Sequence, residues 1–209
     1  YDFSKGFNIL LNFLSADLSG VYLDVCKDRL YCDAKDAPRR RSAQSAMAII
    51  TKALLPLIAP TLTYTVDEVM DYAPNIIKGE AKDAFDLVYE PIIFDLSFED
   101  EMLFASREKF NEIVDVLKKD KKIKSTLELS LETTNHNITS YDEREVADLY
   151  MVSSVRPYDD SEPLAEFELE GDKFKIIASN LHKCPRCWKF NASKEDALCP
   201  RCEEVISAK

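Results

Sequence analysis

Four cysteines near the end of the chain constrain its fold more than any other feature. Cys184 and Cys187 lie in KCPRCWKF, and Cys199 and Cys202 lie in LCPRC, so that an 11-residue gap separates two C-x2-C pairs. Two thiolates on one tight turn reach the same metal ion, and two such turns complete the tetrahedron of a structural zinc site. Because no ligand position stays open, the pattern predicts one structural Zn2+ in a zinc-ribbon-like finger.

Disulfides and redox-active C-x-x-C pairs are the alternatives for these cysteines. A chain without secretory features argues for metal instead. The tail 181–209 is too short to fold by burial alone, and zinc would supply the missing folding free energy. His182 is close enough in sequence to be considered as a ligand, but four thiolates already satisfy the ion. Cys26 and Cys32 have a spacing that suits no common metal site, and we expect ordinary, partly buried thiols.

The net charge of -11 is unevenly distributed along the chain. Residues 1–60 and residues 181–209 each carry a net charge of +2, whereas residues 61–120 carry -9 and residues 121–180 carry -6. Salt screens charges over about 10 Å, so a local basic patch matters more to a polyanion than the total does. The acidic total therefore does not exclude a nucleic-acid partner.

The sequence offers no obvious membrane segment. No apolar run approaches the roughly 20 residues that span a bilayer, and the start shows no signal-peptide pattern. The chain begins at Tyr1 rather than at Met, so we expect it to be a piece of a longer polypeptide.

Helical periodicity dominates the first 120 residues. Apolar residues recur at three- and four-residue steps in 7–31, 42–60 and 104–120, and the whole chain contains only four glycines. Pro60 should end the second of these helices. We predict a mainly α fold that begins with a helical-bundle domain over residues 1–120.

Residues 121–180 change to the period of β-strands. STLELSLE alternates as a half-buried strand does, and LAEFELE and KFKIIAS predict two more strands around a turn at Gly171. Ser140 and Glu143 form a capping box that predicts a helix start. We therefore predict a small α/β domain over 121–180, followed by the zinc finger over 181–209.

A basic segment, KDRLYCDAKDAPRRRSAQ, lies between the first two predicted helices. Pro38 predicts a helix start, which places Arg39, Arg40 and Arg41 in the first turn. The helix dipole disfavours cations there by about 0.3–1 kcal/mol each. A phosphate backbone would use these cations well. The alternative is a solvated charged turn.

Three stretches, NFLSADLSGVYLDVCKDRLYCD, RRRSAQSAM and LLPLIAPTLTYTVDEV, strongly resemble the anticodon-binding region of class I isoleucyl-tRNA synthetases. KCPRCW…CPRC resembles the C-terminal zinc finger of the bacterial members of that family. The resemblance covers nearly the whole chain.

Other interpretations remain as alternatives. One is the same region of a valyl- or leucyl-tRNA synthetase, and another is a non-enzymatic zinc-finger scaffold or nucleic-acid-binding protein. A DNA-repair glycosylase would share the tail, but its catalytic N-terminus and helix-two-turn-helix region are not found.

The resemblance carries several functional expectations. Enzymes of this family use ATP to activate isoleucine and attach it to the 3′ end of their tRNA. The HIGH and KMSKS signatures are absent from this sequence, so the resemblance implies that the catalytic and editing domains, and with them the use of ATP, lie elsewhere in the full-length chain. This piece would bind the anticodon region of an isoleucine tRNA. The resemblance also implies a monomeric, cytoplasmic protein without a membrane partner.

Residue chemistry suggests how this piece would hold tRNA. Bases in single-stranded loops are read by stacking on aromatic or guanidinium planes. Trp188 follows Cys187 directly, so a bound metal would hold it firmly; a lid over the metal site is the alternative role. No catalytic residue is predicted. The predicted tRNA contacts are Lys27, Arg29, Arg39, Arg40, Arg41, Arg186, Trp188, Lys189 and Arg201.

Overall fold

The computed structural model describes residues 2–91 and 100–208. These residues divide into two compact units: the first combines Tyr1–Asp33 with Asp100–Lys209, and the second is Ala34–Glu99. The first unit joins the two ends of the chain, so it does not follow sequence order. The domain boundaries derived from sequence, 1–120, 121–180 and 181–209, stay a prediction.

The first unit begins with one continuous helical stretch. It consists of α1 (Phe3–Asn12), a wider π-type segment (Phe13–Leu23) and α2 (Asp24–Cys32). By length and composition, the stretch Phe3–Cys32 is apolar enough to cross a membrane. The sequence expectation concerned an uninterrupted apolar run, and no such run in this stretch approaches about 20 residues. Isolated charges such as Asp17 interrupt the apolar run but leave the average of a long helix apolar.

A four-stranded mixed sheet forms the middle of the first unit. Its strands are β1 (Leu129–Thr133), β2 (Ser154–Pro157), β3 (Ala165–Leu169) and β4 (Asp172–Ala178), in the order β2-β1-β4-β3. β1 pairs in parallel with β2, and β4 pairs antiparallel with both β1 and β3. The predicted hairpin is confirmed, with Gly171 at φ 89° between β3 and β4.

The central position of β1 explains two differences from the sequence prediction. Every residue of β1 is buried, so the prediction that this strand is half-buried is wrong. A parallel neighbour requires a crossover connection, and helices in such crossovers cover the sheet. That neighbour, β2, has four residues and was not predicted.

Helices complete the first unit. They are α6 (Glu101–Lys119), α7 (His136–Ser140), α8 (Glu143–Leu149) and α9 (Pro200–Ser207), with a 3-10 turn at Thr126–Glu128. Phe110 of α6 meets Tyr150 edge-to-face, with ring centroids 5.4 Å apart. Both side chains are almost fully buried in the main core, together with Phe174 of β4.

The N-cap of α8 differs from the predicted capping box. Asp142 caps this helix, because its carboxylate accepts from the backbone N–H groups of Arg144 and Glu145 at 3.0 and 3.2 Å. The hydroxyl of Ser140 donates instead to Asn137 O, 2.7 Å away in α7. The predicted N-cap residue, Ser140, is therefore wrong by two positions. The cap is Asp142, and the helix begins at Glu143.

The second unit is helical over its described residues. It contains α3 (Pro38–Ile58), α4 (Thr63–Tyr72), α5 (Asn75–Lys78) and a 3-10 turn at Ala84–Asp86. α3 begins at Pro38 and ends before Pro60, as predicted. The buried core of the second unit consists of Leu55, Ala59, Val66, Met70 and Ala84. The described chain is thus mainly helical with a small mixed sheet, while one bundle over residues 1–120 stays a prediction.

Candidate metal centre and nucleic-acid interface

The four tail cysteines converge on one point. The sulfur atoms of Cys184, Cys187, Cys199 and Cys202 all lie within 4.8 Å of one another, and all four residues are buried. His182 is exposed and is not in this group. Four sulfur atoms at such distances can hold a metal ion.

Local backbone geometry builds the two turns that carry these cysteines. In the first turn, Cys184 N donates to Lys189 O and Trp188 N donates to Cys184 O, both at 2.9 Å. Trp188 adopts φ 66°, which lets the chain reverse directly after the second cysteine. The second turn runs into α9, where Pro200 occupies the first helical position next to Cys199.

The thiols of this cluster differ in how readily they ionise. Burial opposes ionisation of Cys184, but backbone N–H groups of Cys187, Cys199 and Arg186 outweigh it and lower the pKa of Cys184 to about 6. Burial raises the pKa of Cys187 and Cys199 above their ordinary value. A divalent cation between the sulfurs would favour the thiolate form of all four, so the donor set fits a metal that prefers sulfur.

The two cysteines outside the tail are buried free thiols rather than partly buried ones. Cys26 is 1% exposed and Cys32 is 7% exposed. Cys32 packs against the four-cysteine cluster, and its thiol lies 3.9 Å from Arg186 O. Burial raises the pKa of the Cys32 thiol to about 11.

Arginines of both cysteine turns contact helix α2. Arg201 donates to both carboxylate oxygens of Asp28 and lies 3.2 Å from Asp33. Arg186 donates to Cys32 O at 2.6 Å and to Tyr31 O at 3.4 Å. Both predicted tRNA contacts thus have partners inside the first unit.

Two further predicted contacts meet at a buried carboxylate. Lys189 Nζ lies 2.7 Å from Asp148 Oδ1, and the two side chains are 8% and 1% exposed. Arg29 lies 2.7 Å from Glu145 and 3.8 Å from the other oxygen of Asp148. The structure therefore brings helices α2 and α8 and the cysteine tail together around Asp148.

The remaining predicted contacts are more accessible. Trp188 is 62% exposed, and Lys183 Nζ lies 5.5 Å from the centroid of its ring. Lys27 is exposed and forms an ion pair with Asp24. In the second unit, Arg41 is exposed and lies 2.8 Å from Asp36.

Arg39 and Arg40 are half-buried in the first turn of α3. They share that turn with Arg41, which reaches outward to Asp36. The three predicted arginines of this segment therefore differ in how much of each side chain faces solvent.

A cavity of about 620 Å³ lies beside Trp188 in the first unit. Its lining includes Lys27 and Tyr31 of α2, Leu127, and Trp188 of the first cysteine turn. Tyr31 is 76% exposed. The cavity is large enough for one planar aromatic group, and Trp188 forms part of its wall.

The acidic partners of the cations were not singled out from the sequence. Asp28 and Asp33 lie within the basic segment, where the sequence gives no sign of which cation each one binds. Glu145 and Asp148 lie three residues apart, a spacing that places them on one face of a helix. That spacing was the available signal for a pair of carboxylates that could bind cations together.

Comparison with known proteins finds similarity along the whole chain. Residues 1–137 match the family described as the anticodon-binding domain of tRNA ligase. The isoleucine–tRNA ligase of Campylobacter concisus (strain 13826) is 98% identical over 209 residues, which is 100% of this chain and 23% of that protein. The isoleucine–tRNA ligase of Campylobacter curvus (strain 525.92) is 74% identical over 208 residues, again 100% of this chain and 23% of the relative.

The similarity extends to more distant relatives. The isoleucine–tRNA ligase of a Nitratiruptor species is 50% identical over 207 residues, covering 99% of this chain and 22% of the relative. The chain thus spans about a quarter of the length of these curated relatives. Because the family match covers more than half of the chain, the chain belongs to the tRNA ligases that carry this anticodon-binding domain.

Proposed function

We propose that this chain is the part of an isoleucine–tRNA ligase that binds the anticodon region of an isoleucine tRNA. The catalytic domain elsewhere in the full-length protein then uses ATP to attach isoleucine to the 3′ end, and the editing domain also lies outside this chain. The family match over residues 1–137 carries this proposal. The relatives' names favour isoleucine over the valyl and leucyl alternatives.

The cysteine cluster would hold one structural Zn2+. Its support is the convergence of four buried sulfurs, which is the ligand number of a closed tetrahedral zinc site. Four thiolates and one Zn2+ together carry a charge of about -2, which would offset the +2 of residues 181–209. The attraction of the finger for tRNA must therefore come from oriented side chains rather than from net charge.

Trp188 is the side chain that we propose stacks on a base. Its exposed ring and the adjoining cavity support this role, and base–aromatic stacking contributes about 1–3 kcal/mol per base. Lys27 reaches solvent from the cavity wall and would contact a phosphate. The exposed partner of Lys27 is a single carboxylate, which a phosphate can replace.

Arg39, Arg40 and Arg41 would provide a second phosphate contact from the start of α3. The exposed ion pair of Arg41 with Asp36 supports this, because surface pairs contribute only about 0–1 kcal/mol and exchange readily. Arg29, Arg186, Lys189 and Arg201 hold internal partners instead. Their direct contact with tRNA stays a prediction, and we propose that they mainly position the surface around Trp188.

We also propose that the protein is a cytoplasmic monomer without a membrane partner. The helical stretch Phe3–Cys32 ends in α2, where Asp28 and Arg29 form ion pairs within the first unit. Val25 and Cys26 of the same helix are buried against protein. Charged side chains are costly at the bilayer centre, so this end of the stretch favours a protein environment.

Binding to an isoleucine tRNA transcript tests the proposal directly. The zinc-loaded chain should bind this transcript and should bind it more weakly after the anticodon is exchanged. Equal binding to both transcripts would contradict anticodon recognition and leave only a phosphate contact. If neither transcript binds this chain or the full-length ligase, the scaffold alternative replaces the proposal.

The Trp188→Ala variant should weaken binding of the isoleucine transcript by roughly 5- to 150-fold, because it removes about 1–3 kcal/mol of stacking. Trp188→Phe should retain much of the affinity, since it keeps an aromatic face. Ile206→Ala is the matched control, because Ile206 is a 46% exposed apolar residue of the same tail. Unchanged binding by Trp188→Ala would contradict stacking and favour the lid.

A further inference from the structure

The two cysteine turns share a feature that metal binding alone does not require. Each reads Cys-Pro-Arg-Cys, and the arginine of each reaches the end of helix α2. Arg186 and Arg201 come from different turns, yet their partners on this helix all lie between Asp28 and Asp33. Helix α2 is thus held by both halves of the candidate metal site.

Arg186 contacts a metal-ligand sulfur and the helix at once. One of its nitrogens, Nη1, lies 3.3 Å from Cys202 Sγ and 2.6 Å from Cys32 O. The last carbonyls of a helix lack backbone partners and carry partial negative charge, so a guanidinium stabilises them. The same guanidinium therefore links a sulfur of the second turn to the C-terminal end of α2.

Arg201 makes the second link. Its planar guanidinium binds Asp28 with two parallel hydrogen bonds, the geometry that gives arginine–carboxylate pairs both strength and orientation. It also lies 3.2 Å from Asp33, the C-cap residue of α2. The side chains of Arg201, Asp28 and Asp33 are 12%, 15% and 6% exposed, so these charges are largely shielded from water.

Each arginine is the residue before a metal-ligand cysteine. Coordination of Cys187 and Cys202 would fix the backbone of both turns. The position of that backbone determines where the side chains of Arg186 and Arg201 extend. Without an ion, the small buried cluster of the tail would hold the backbone of these turns less firmly. The direction of both guanidinium groups then depends on the state of the metal site.

We propose that Arg186 and Arg201 are positioning residues that couple metal binding at the four cysteines to the order of helix α2. This inference rests on the metal part of the proposed function. Residues of α2 and of the first cysteine turn both line the cavity beside Trp188. Metal binding therefore sets the shape of this surface through two arginines, beyond stabilising the tail itself.

Hydrogen exchange of the whole chain tests the first half of the coupling. Removal of the metal with a chelator under reducing conditions should speed amide exchange in Asp24–Cys32 by at least about tenfold, because opening becomes more frequent. Helix α6 (Glu101–Lys119) is the internal control, since the hydrogen bonds described for the two arginines run to α2, to Asp33 and to Cys202. Exchange in α6 should change by less than about twofold.

Coupling must be reciprocal, so α2 should also affect the metal. The Asp28→Asn variant should release zinc to a chromogenic chelator about fivefold faster, because Arg201 loses its charged partner. Asp24→Asn is the matched control on the same helix, since Asp24 pairs with exposed Lys27 rather than with the tail. If Asp28→Asn loses helical content, Arg201→Lys serves instead, and it should also release zinc faster.

The outcomes separate the two levels of the proposal. A chain that binds no metal overturns both the metal site and the coupling. A chain that binds one ion, but shows unchanged exchange in α2 on metal removal, overturns the coupling alone. Equal release rates for Asp28→Asn and Asp24→Asn also overturn it. None of these measurements uses tRNA, so they are independent of the anticodon proposal.

Discussion

The Cys184→Ser variant is expected to lose the bound metal and the fold of the tail. Structural zinc contributes about 10–16 kcal/mol of apparent binding free energy in finger peptides, which is comparable to or larger than the total stability of a small domain. The apolar core of the tail is small, because its buried cluster consists of cysteines, Ala192 and partly buried Leu198. Elemental analysis should fall from about one zinc per chain to none.

Cys26→Ser is the control for this variant. Cys26 is also buried, at 1% exposure, but it lies outside the group of four sulfurs. Its replacement should leave about one zinc per chain. A full equivalent of zinc in Cys184→Ser, or its loss in Cys26→Ser, would contradict the assignment of the four ligands.

The cysteine cluster was predictable from sequence because its geometry is mostly local. Two residues between cysteines place both sulfurs on one turn, whatever the rest of the chain does. The hairpin around Gly171 was predictable for a similar reason, since a turn residue and two alternating segments are adjacent. The helix start at Pro38 follows from the fixed φ of proline.

The roles of the cations were not predictable, because their partners are distant in sequence. Arg201 meets Asp28 across 173 residues, Arg186 meets Cys32 across 154, and Lys189 meets Asp148 across 41. A basic residue in a cysteine turn has the same local sequence whether its side chain contacts RNA or a carboxylate of its own chain. Only the tertiary arrangement distinguishes the two.

Strand β2 shows the same limit for secondary structure. Its four residues, Ser154–Pro157, give too short a pattern to indicate a strand, and they pair in parallel with β1 after two intervening helices. Burial of the faces of β1 depends instead on elements packed against the sheet, among them α7 of that crossover. Sequence periodicity detected β1, β3 and β4 but not the short edge strand β2.

The Lys189→Met variant is expected to lower the free energy of unfolding by about 3–5 kcal/mol, because it leaves the buried carboxylate of Asp148 without its close partner. Arg29 remains 3.8 Å from that carboxylate and should keep the loss near the lower value. Denaturant unfolding followed by the fluorescence of Trp188, the chain's single tryptophan, measures the change in the tail. Lys109→Met, which breaks an exposed pair with Glu112, should cost less than about 1 kcal/mol.

A double variant distinguishes a buried pair from a tRNA contact. Asp148→Leu combined with Lys189→Met should recover much of the lost stability, because an apolar pair of similar size avoids an unpaired buried charge. If Lys189 acts only through Asp148, the folded double variant should also recover tRNA binding in the absence of denaturant. A Lys189→Met variant that loses less than about 1 kcal/mol yet binds tRNA about tenfold more weakly would contradict the structural role. Lys189 would then contact a phosphate, as its position beside Trp188 first suggested.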